Sequence, residues 1–334
     1  MTLSREVRLV SRPVGTPAPE NFELARVEVP PPGPGEVQVR NGWMAVDPAM
    51  RGRMSEAKSY VPPFALGAAM EGPAVGRVVA SNDPAFAPGD LVWSRLGWRE
   101  VFNAKPEQLK KRNGSALPEQ AYLGFAGMTG LTAYAGLFEV AGLKPGDVVF
   151  VSAASGGVGS VVCQMAKLKG HTVIGSAGGA RKAAFLKETL GLDAVIDYKA
   201  EPSLTKALAR SAPNGIDVYF DNVGGDHLQA ALAVANPFAR FALCGMISTY
   251  NATEPPAAPR NLMQAVVKSL RLQGFIALNY LHLEEALLRE VTAWHREGRL
   301  RSAETVFVGI DHALDAFFGL FRGENLGRML VKLA

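Results

Sequence analysis

The sequence predicts an α/β protein, with a doubly wound parallel sheet in the middle of the chain and β-rich segments at its ends. Three observations lead there. From Lys144 onward, short apolar runs alternate with helical patterns, the rhythm of parallel strands covered by helices on both faces. A glycine-rich turn, Ala154-Ser155-Gly156-Gly157-Val158-Gly159, joins the first of those runs to the first helix. The N-terminal third instead carries short alternating segments between proline and glycine clusters, the pattern of a small, irregular barrel.

Taken in order, Glu36-Val37-Gln38-Val39-Arg40 and Gly76-Arg77-Val78-Val79-Ala80 are the clearest early strands. They lie among the clusters Pro30-Pro31-Pro32-Gly33-Pro34-Gly35 and Ala87-Pro88-Gly89-Asp90, whose residues favour turns. Residues 118–142 place apolar side chains at helical spacing. Val148-Val149-Phe150-Val151 is an uninterrupted apolar run, read as the first central strand, and residues 158–169 form a helical pattern that stops at Gly170. Thr172-Val173-Ile174-Gly175 is the second strand, and residues 181–190 the second helix, ended by Gly191. Ala194-Val195-Ile196-Asp197, Val218-Tyr219-Phe220, Arg240-Phe241-Ala242-Leu243-Cys244 and residues 270–278 follow as strands. Residues 281–298 carry the apolar stripe of a long amphipathic helix, and residues 310–321 that of a final one.

A chain of 334 residues is too long for one compact core and long enough for two domains of ordinary size. With 48% hydrophobic and 20% charged residues it has the balance of a soluble globular protein, which excludes wholesale disorder. The net charge of +4 is scattered, with no basic run, so no nucleic-acid partner is expected. The long uncharged windows are rich in Gly, Ser and Thr and too mildly apolar to span a membrane. The start, Met1-Thr2-Leu3-Ser4-Arg5-Glu6, has no apolar signal-peptide core. Cys163 and Cys244 form no disulfide framework, which fits a reducing cytoplasm. The five histidines are far apart and neither cysteine has a neighbour at ligand spacing, so no metal site is expected.

The glycine-rich turn is a dinucleotide fingerprint with Ala154 in the first glycine's place. Gly156 lets backbone approach a pyrophosphate, and Gly159 lets the helix pack closely on the sheet. The helix N-terminus offers free N–H groups and positive dipole to the phosphates. Sites for NAD place an acid about twenty residues past the glycines to bind the ribose hydroxyls. Here the run is Ser176-Ala177-Gly178-Gly179-Ala180-Arg181-Lys182, with no acid before Glu188. A carboxylate would repel a 2′-phosphate, whereas a lysine and small residues would hold one. The expected cofactor is therefore NADPH.

Further stretches carry a family resemblance along essentially the whole chain. They are Val46-Asp47-Pro48-Ala49-Met50-Arg51-Gly52-Arg53-Met54, Gly127-Met128-Thr129-Gly130-Leu131-Thr132-Ala133-Tyr134, Tyr219-Phe220-Asp221-Asn222-Val223-Gly224-Gly225, Cys244-Gly245-Met246-Ile247-Ser248-Thr249-Tyr250-Asn251 and Gly323-Glu324-Asn325-Leu326-Gly327. With the glycine loop, they resemble the zinc-free medium-chain dehydrogenase/reductase family. Within it they resemble the NADPH-dependent double-bond reductases: prostaglandin reductase, plant alkenal reductases and bacterial curcumin reductase. The resemblance implies a GroES-like catalytic domain split between residues 1–120 and 300–334, around an inserted Rossmann domain at 121–299. It places Gly156, Gly157, Val158 and Gly159 at the pyrophosphate, and Lys182 and Tyr198 at the 2′-phosphate. Asn222, Cys244, Gly245, Ser248, Tyr250, Phe275, Ile276 and Asn325 would line the rest of the cofactor. Met70-Glu71-Gly72 stands where zinc alcohol dehydrogenases present a His-Glu pair.

The implied activity is reduction of a carbon–carbon double bond conjugated to a carbonyl, in enone or enal substrates. Tyr60 and Tyr250 are the candidate hydrogen-bond donors to the carbonyl oxygen, since the resemblance puts both loops at the cleft. Packing of Tyr60 on Pro62-Pro63, and of Tyr250 as a loop anchor, are their structural alternatives. A quinone reductase of the same superfamily, or an NADPH-binding protein without catalysis, are the rival functions. Relatives dimerise through the last Rossmann strand, here residues 270–278, so a homodimer is expected.

Overall fold

The computed structural model describes residues 1–112, 114 and 116–333. Asn113, Ser115 and Ala334, the last of which ends the expected C-terminal domain segment, lie outside the described residues. The chain forms two compact units. One is Met1–Leu123, Glu304–Glu324 and Met329–Ala334; the other is Gly124–Ala303 with Asn325–Arg328.

The first unit opens with β1 (Thr2–Leu9), paired antiparallel with β2 (Phe22–Val29). Then come β3 (Val37–Ala45), α1 (Met50–Arg53), β4 (Ala74–Ser81), β5 (Leu91–Ser94), β6 (Val101–Ala104) and β7 (Leu109–Lys111). β3 and β4 shift register between Asn41 and Trp43, beside Gly76. A Cβ on Gly76 would lie 2.9 Å from the Arg40 carbonyl carbon and the Asn41 Cα. Glycine is required because the two backbones approach too closely for any side chain.

The second unit begins with α2 (Met128–Tyr134) and continues through β8 (Val148–Val151), α3 (Gly157–Leu168), β9 (Thr172–Ala177), α4 (Ala180–Ala184) and β10 (Ala194–Asp197). After α5 (Leu204–Ser211), β11 (Ile216–Asp221), α6 (Gly225–Val234) and β12 (Ala235–Leu243) come α7 (Gln264–Val267), β13 (Arg271–Gly274) and α8 (Glu284–Arg296). The sheet order is β10-β9-β8-β11-β12-β13, and every pairing in it is parallel. Its centre is mainly apolar, as a sheet covered on both faces demands: Phe150 stacks on Tyr219 at 5.1 Å, and both are fully buried.

The chain then returns to the first unit through β14 (Glu304–Val308), α9 (Ala313–Arg322) and β15 (Arg328–Lys332). β14 and β15 extend the antiparallel sheet as β14-β15-β3-β4-β5-β7, with β6 branching from β3. Phe317 of α9 meets the fully buried Trp98 edge-on at 6.1 Å, inside a core that includes Met44, Met50, Met54 and Met70.

β12 begins at Ala235, ahead of the expected Arg240, and two further elements differ from the sequence expectation. The strand expected over 270–278 is only Arg271–Gly274. The Phe275 amide makes its bond to Leu243, and Asn279 then closes a turn onto Ile276, so Leu278 sits in a 3₁₀ segment, Ala277–Leu283. The helix expected over 181–190 is α-helical only through Ala184 and continues as a π-helical turn, Phe185–Thr189.

Candidate dinucleotide-binding site

In an open parallel sheet, ligands bind beyond the carboxyl ends of the strands where the strand order reverses. Here that point lies between β8 and β11. The two strand ends are stitched together by side chains. Asn222 Nδ2 donates to the Ser152 carbonyl at 2.7 Å, and the Asn222 amide donates to Ser152 Oγ at 2.9 Å. Behind them Asp221 is fully buried. Its Oδ1 accepts from Tyr219 Oη at 2.7 Å, from the Gly224 and Val223 amides at 2.8 and 2.9 Å, and from Ser152 Oγ at 3.2 Å. Its Oδ2 has no hydrogen-bond partner. Burial outweighs those bonds and raises the carboxyl above its ordinary range.

The glycine loop follows β8. Ala153 turns the chain with a φ of 47°, and the Gly156 amide closes onto the Ala153 carbonyl at 2.9 Å. A Cβ on Gly159 would run into the Ala153 carbonyl and lie 2.8 Å from the Ala154 Cα, so only glycine lets α3 sit this close. Ala154 fits in the first glycine's place because it faces Gly175 on β9, where a Cβ would lie 2.9 Å from the Ala154 methyl. The first intrahelical bond of α3 runs from the Ser160 amide to Gly156. That leaves the amides of Gly157, Val158 and Gly159 without intrahelical acceptors, the arrangement an anion needs. Asn325 joins from far along the chain: its Nδ2 donates to the Gly327 carbonyl at 2.9 Å, and the Gly327 amide donates to the Ser155 carbonyl at 2.7 Å. Gly156 and Gly327 form a parallel bridge.

At the end of β9 the chain turns through Gly178 and Gly179, the latter with a φ of 97°. Lys182, half-buried on α4, lies in the field of Lys199, which follows the end of β10. Burial, then Lys199, then Arg181 push its ammonium below the ordinary lysine range. Among the described residues neither lysine has an ion-pair partner. Asp197 is the nearby acid, and its Oδ1 accepts from the Gly179 amide at 2.8 Å and the Lys199 amide at 3.1 Å. The pattern along the sequence missed Asp197 and Lys199 as site residues. The signal was present, since the turn after the third strand of a doubly wound sheet neighbours the end of the second.

A second residue missed from sequence is His227 on α6. Its Nε2 lies 2.6 Å from Ser176 Oγ, and its ring meets Tyr198 edge-on at 5.0 Å. Burial lowers its pKa to about 4, with Asp226 opposing the shift. The unfolded chain therefore binds a proton that the folded chain refuses, so this contribution is complete above about pH 6.5 and is lost as pH falls toward 4. About 2 kcal/mol of stability is expected to disappear between pH 7.5 and pH 5, and His227→Gln should flatten that slope in urea titrations at the two pH values.

The remaining expected residues cluster beyond β12 and β13. The Cys244 and Gly245 amides both donate to the Asp221 carbonyl, at 2.9 and 3.1 Å, so neither N–H is left to bind a cofactor. The Cys244 thiol is pushed up to about 12 by burial and then by Asp221. Ser248 Oγ donates to the Val223 carbonyl at 2.6 Å. The Phe275 ring meets Phe220 edge-on at 6.0 Å, and Ile276 follows it, partly buried. Tyr250 folds back over the strand end, where a Cβ on Gly245 would lie 2.8 Å from its hydroxyl. Tyr60 belongs to the first unit, on the exposed segment between α1 and β4. Among the described residues, no group of three His, Cys, Asp or Glu side chains is placed to hold a metal ion.

Known proteins resemble this chain along its full length. Residues 5–111 match the model for the N-terminal domain of oxidoreductase, and residues 157–293 match that for zinc-binding dehydrogenase. The NADPH-dependent curcumin reductase of Escherichia coli is 41% identical over 98% of this chain and 96% of its own. The NADP(+)-dependent 2-alkenal reductase of Nicotiana tabacum is 40% identical over 99% and 98%. The crystal structure of CurA in complex with NADPH from Vibrio vulnificus superposes with a TM-score of 0.93, at 41% identity and 99% coverage of both chains. The chain therefore belongs to the medium-chain dehydrogenase/reductase family.

Proposed function

We propose that this chain is an NADPH-dependent reductase of carbon–carbon double bonds conjugated to a ketone or aldehyde. The observation that carries the reading is the adenosine end of the site. There a half-buried Lys182 is held below its ordinary range with no carboxylate partner among the described residues, and the nearby acid, Asp197, is engaged with backbone amides. Relatives about 40% identical along the whole chain carry the names of an NADPH-dependent and an NADP(+)-dependent reductase.

The residues present fit NADPH. The amides of Gly157, Val158 and Gly159 suit a pyrophosphate, and Lys182 and Tyr198 suit a 2′-phosphate. Asn222, Ser248, Tyr250, Phe275, Ile276 and Asn325 form the remaining surface. When bound, NADPH supplies the hydride that adds to the β-carbon of the substrate, while the displaced electron pair moves to the carbonyl oxygen as an enolate. The chain's contribution is to stabilise that oxygen where charge develops, and Tyr250 and Tyr60 are the donors assigned to it. A proton from water or a tyrosine then reaches the α-carbon. The unit Gly124–Ala303 with Asn325–Arg328 serves as the cofactor domain, expected from sequence at 121–299, and the other unit, expected at 1–120 and 300–334, as the substrate side.

The test is NADPH oxidation against a panel of enones, enals and quinones, with NADH as control. Rapid turnover of enones with NADPH alone is the expected result. Turnover confined to quinones would replace the reading with a quinone reductase, and binding without turnover would leave an NADPH-binding protein.

A homodimer through β13 belongs to the same proposal. β13 is an edge strand of the six-stranded sheet, and Met263, Val266 and Val267 just before it are two-thirds or more exposed. An unpaired strand edge beside exposed apolar side chains invites pairing with another chain. Sedimentation equilibrium should give twice the chain mass. Residence in the cytoplasm, where NADPH is regenerated, goes with this reading and is checked by cell fractionation. Among the described residues, no helix is long and apolar enough to cross a membrane.

A further inference from the structure

We propose that Lys199 is a second phosphate-binding cation of this site, gripping with Lys182 the 2′-phosphate that separates NADPH from NADH. The inference rests on the NADPH reading and adds to it a residue that determines cofactor specificity.

Three observations meet at Gly178. A Cβ there would lie 3.0 Å from the Lys199 Cε and 2.9 Å from the Tyr198 hydroxyl. Both residues keep exposed surface, but part of the lysine chain and the phenol lie back over the bare glycine backbone. Second, the placement is enforced: Asp197 Oδ1 ties the Gly179 amide to the Lys199 amide, at 2.8 and 3.1 Å, and the Tyr198 amide donates to the Ala177 carbonyl at 3.1 Å. The turn after β9 and the turn after β10 are thereby held as one. Third, Lys199 is the cation whose charge acts most strongly on Lys182, ahead of Arg181.

Two ammonium groups held in each other's field without a carboxylate destabilise the empty site. A doubly charged phosphate between them converts one repulsion into two attractions, each a charge-assisted hydrogen bond. An ordinary surface lysine would swing away from its neighbour, because exposed lysine chains are mobile and strongly hydrated. A chain folded over Gly178 by a fixed turn is instead presented to the same ligand as Lys182.

Isothermal titration of the full chain with 2′,5′-ADP and with 5′-AMP isolates the 2′-phosphate and needs no catalysis. The variants are Lys199→Met, which keeps the stem over Gly178, Lys199→Arg, which keeps the charge, and Lys182→Met as the reference. Lys199→Met should weaken 2′,5′-ADP about tenfold and leave 5′-AMP unchanged, and Lys199→Arg should retain most of the wild-type affinity. If Lys199→Met binds 2′,5′-ADP like the parent while Lys182→Met does not, the Lys199 assignment is wrong and the NADPH reading stands. If Lys199→Met weakens both ligands equally, the residue is structural and the assignment again fails. A parent protein that does not prefer 2′,5′-ADP to 5′-AMP would overturn the NADPH reading and this inference together.

Discussion

Replacement of Asp221 by alanine is expected to destabilise the second unit by about 3 kcal/mol or more, because several donors aimed at one buried oxygen lose their acceptor together. Tyr219 Oη and the Val223 and Gly224 amides all point at Oδ1, in a place water does not reach. Each donor left unpaired costs about 1–3 kcal/mol, partly offset by relief from burying a carboxylate. Asp221→Asn is the informative companion. It keeps an acceptor at Oδ1 and removes the charge, and the position of Oδ2 has no partner to lose. The asparagine variant should therefore stay within about 1 kcal/mol of the parent, by the net worth of a typical hydrogen bond. Urea unfolding followed by tryptophan fluorescence measures both. An alanine variant as stable as the asparagine one would mean that the donors find water, and that Asp221 does not hold the switch point together.

Tyr250→Phe is expected to lower kcat/KM for an enone by about a hundredfold to a thousandfold, the cost of removing one donor from a developing oxyanion, about 2.7–4 kcal/mol. The substitution keeps the ring and should leave NADPH affinity unchanged, so kinetics and cofactor titration together separate catalysis from binding. The hydroxyl packs so closely on Gly245 that Gly245→Ala, whose new methyl would lie 2.8 Å from it, should displace the phenol and lower kcat/KM in the same direction. If both donors converge on that oxygen, Tyr60→Phe should also slow enone reduction without weakening NADPH. Parent-like turnover by both phenylalanine variants would make the two tyrosines packing residues and leave the enolate to other donors.

Much of the fold was legible because the central strands are short, mainly apolar runs separated by helical patterns. β8 and β10 lie where the apolar runs end. β13 was read too long because Phe275, Ile276 and Leu278 continue the apolar run. Hydrophobicity alone does not distinguish a buried extended residue from a 3₁₀ turn after the last ladder bond. The glycine loop was legible for a similar reason, since all its parts are local. Asp197, Lys199 and His227 were not. Their roles arise from partners far away in sequence, Asp197 from Gly179 and His227 from Ser176, and only the sheet order brings those residues together. Cys244 and Gly245 were placed along the cofactor only by resemblance. That their amides also complete the β11–β12 junction is a requirement set by the neighbouring strand, which the local sequence does not show.

The short bridge between Gly156 and Gly327 has a consequence for the order in which the protein matures. Ser155 offers its carbonyl as soon as β8 and α3 have formed, yet its partner amide is about 170 residues further along, a separation that makes the contact slow to form. On the ribosome, the glycine loop must therefore wait through the synthesis of most of the remaining chain before its last strand-like neighbour arrives. Nascent chains therefore hold a glycine loop that lacks this neighbour until the segment that carries the chain back into the first unit has been made.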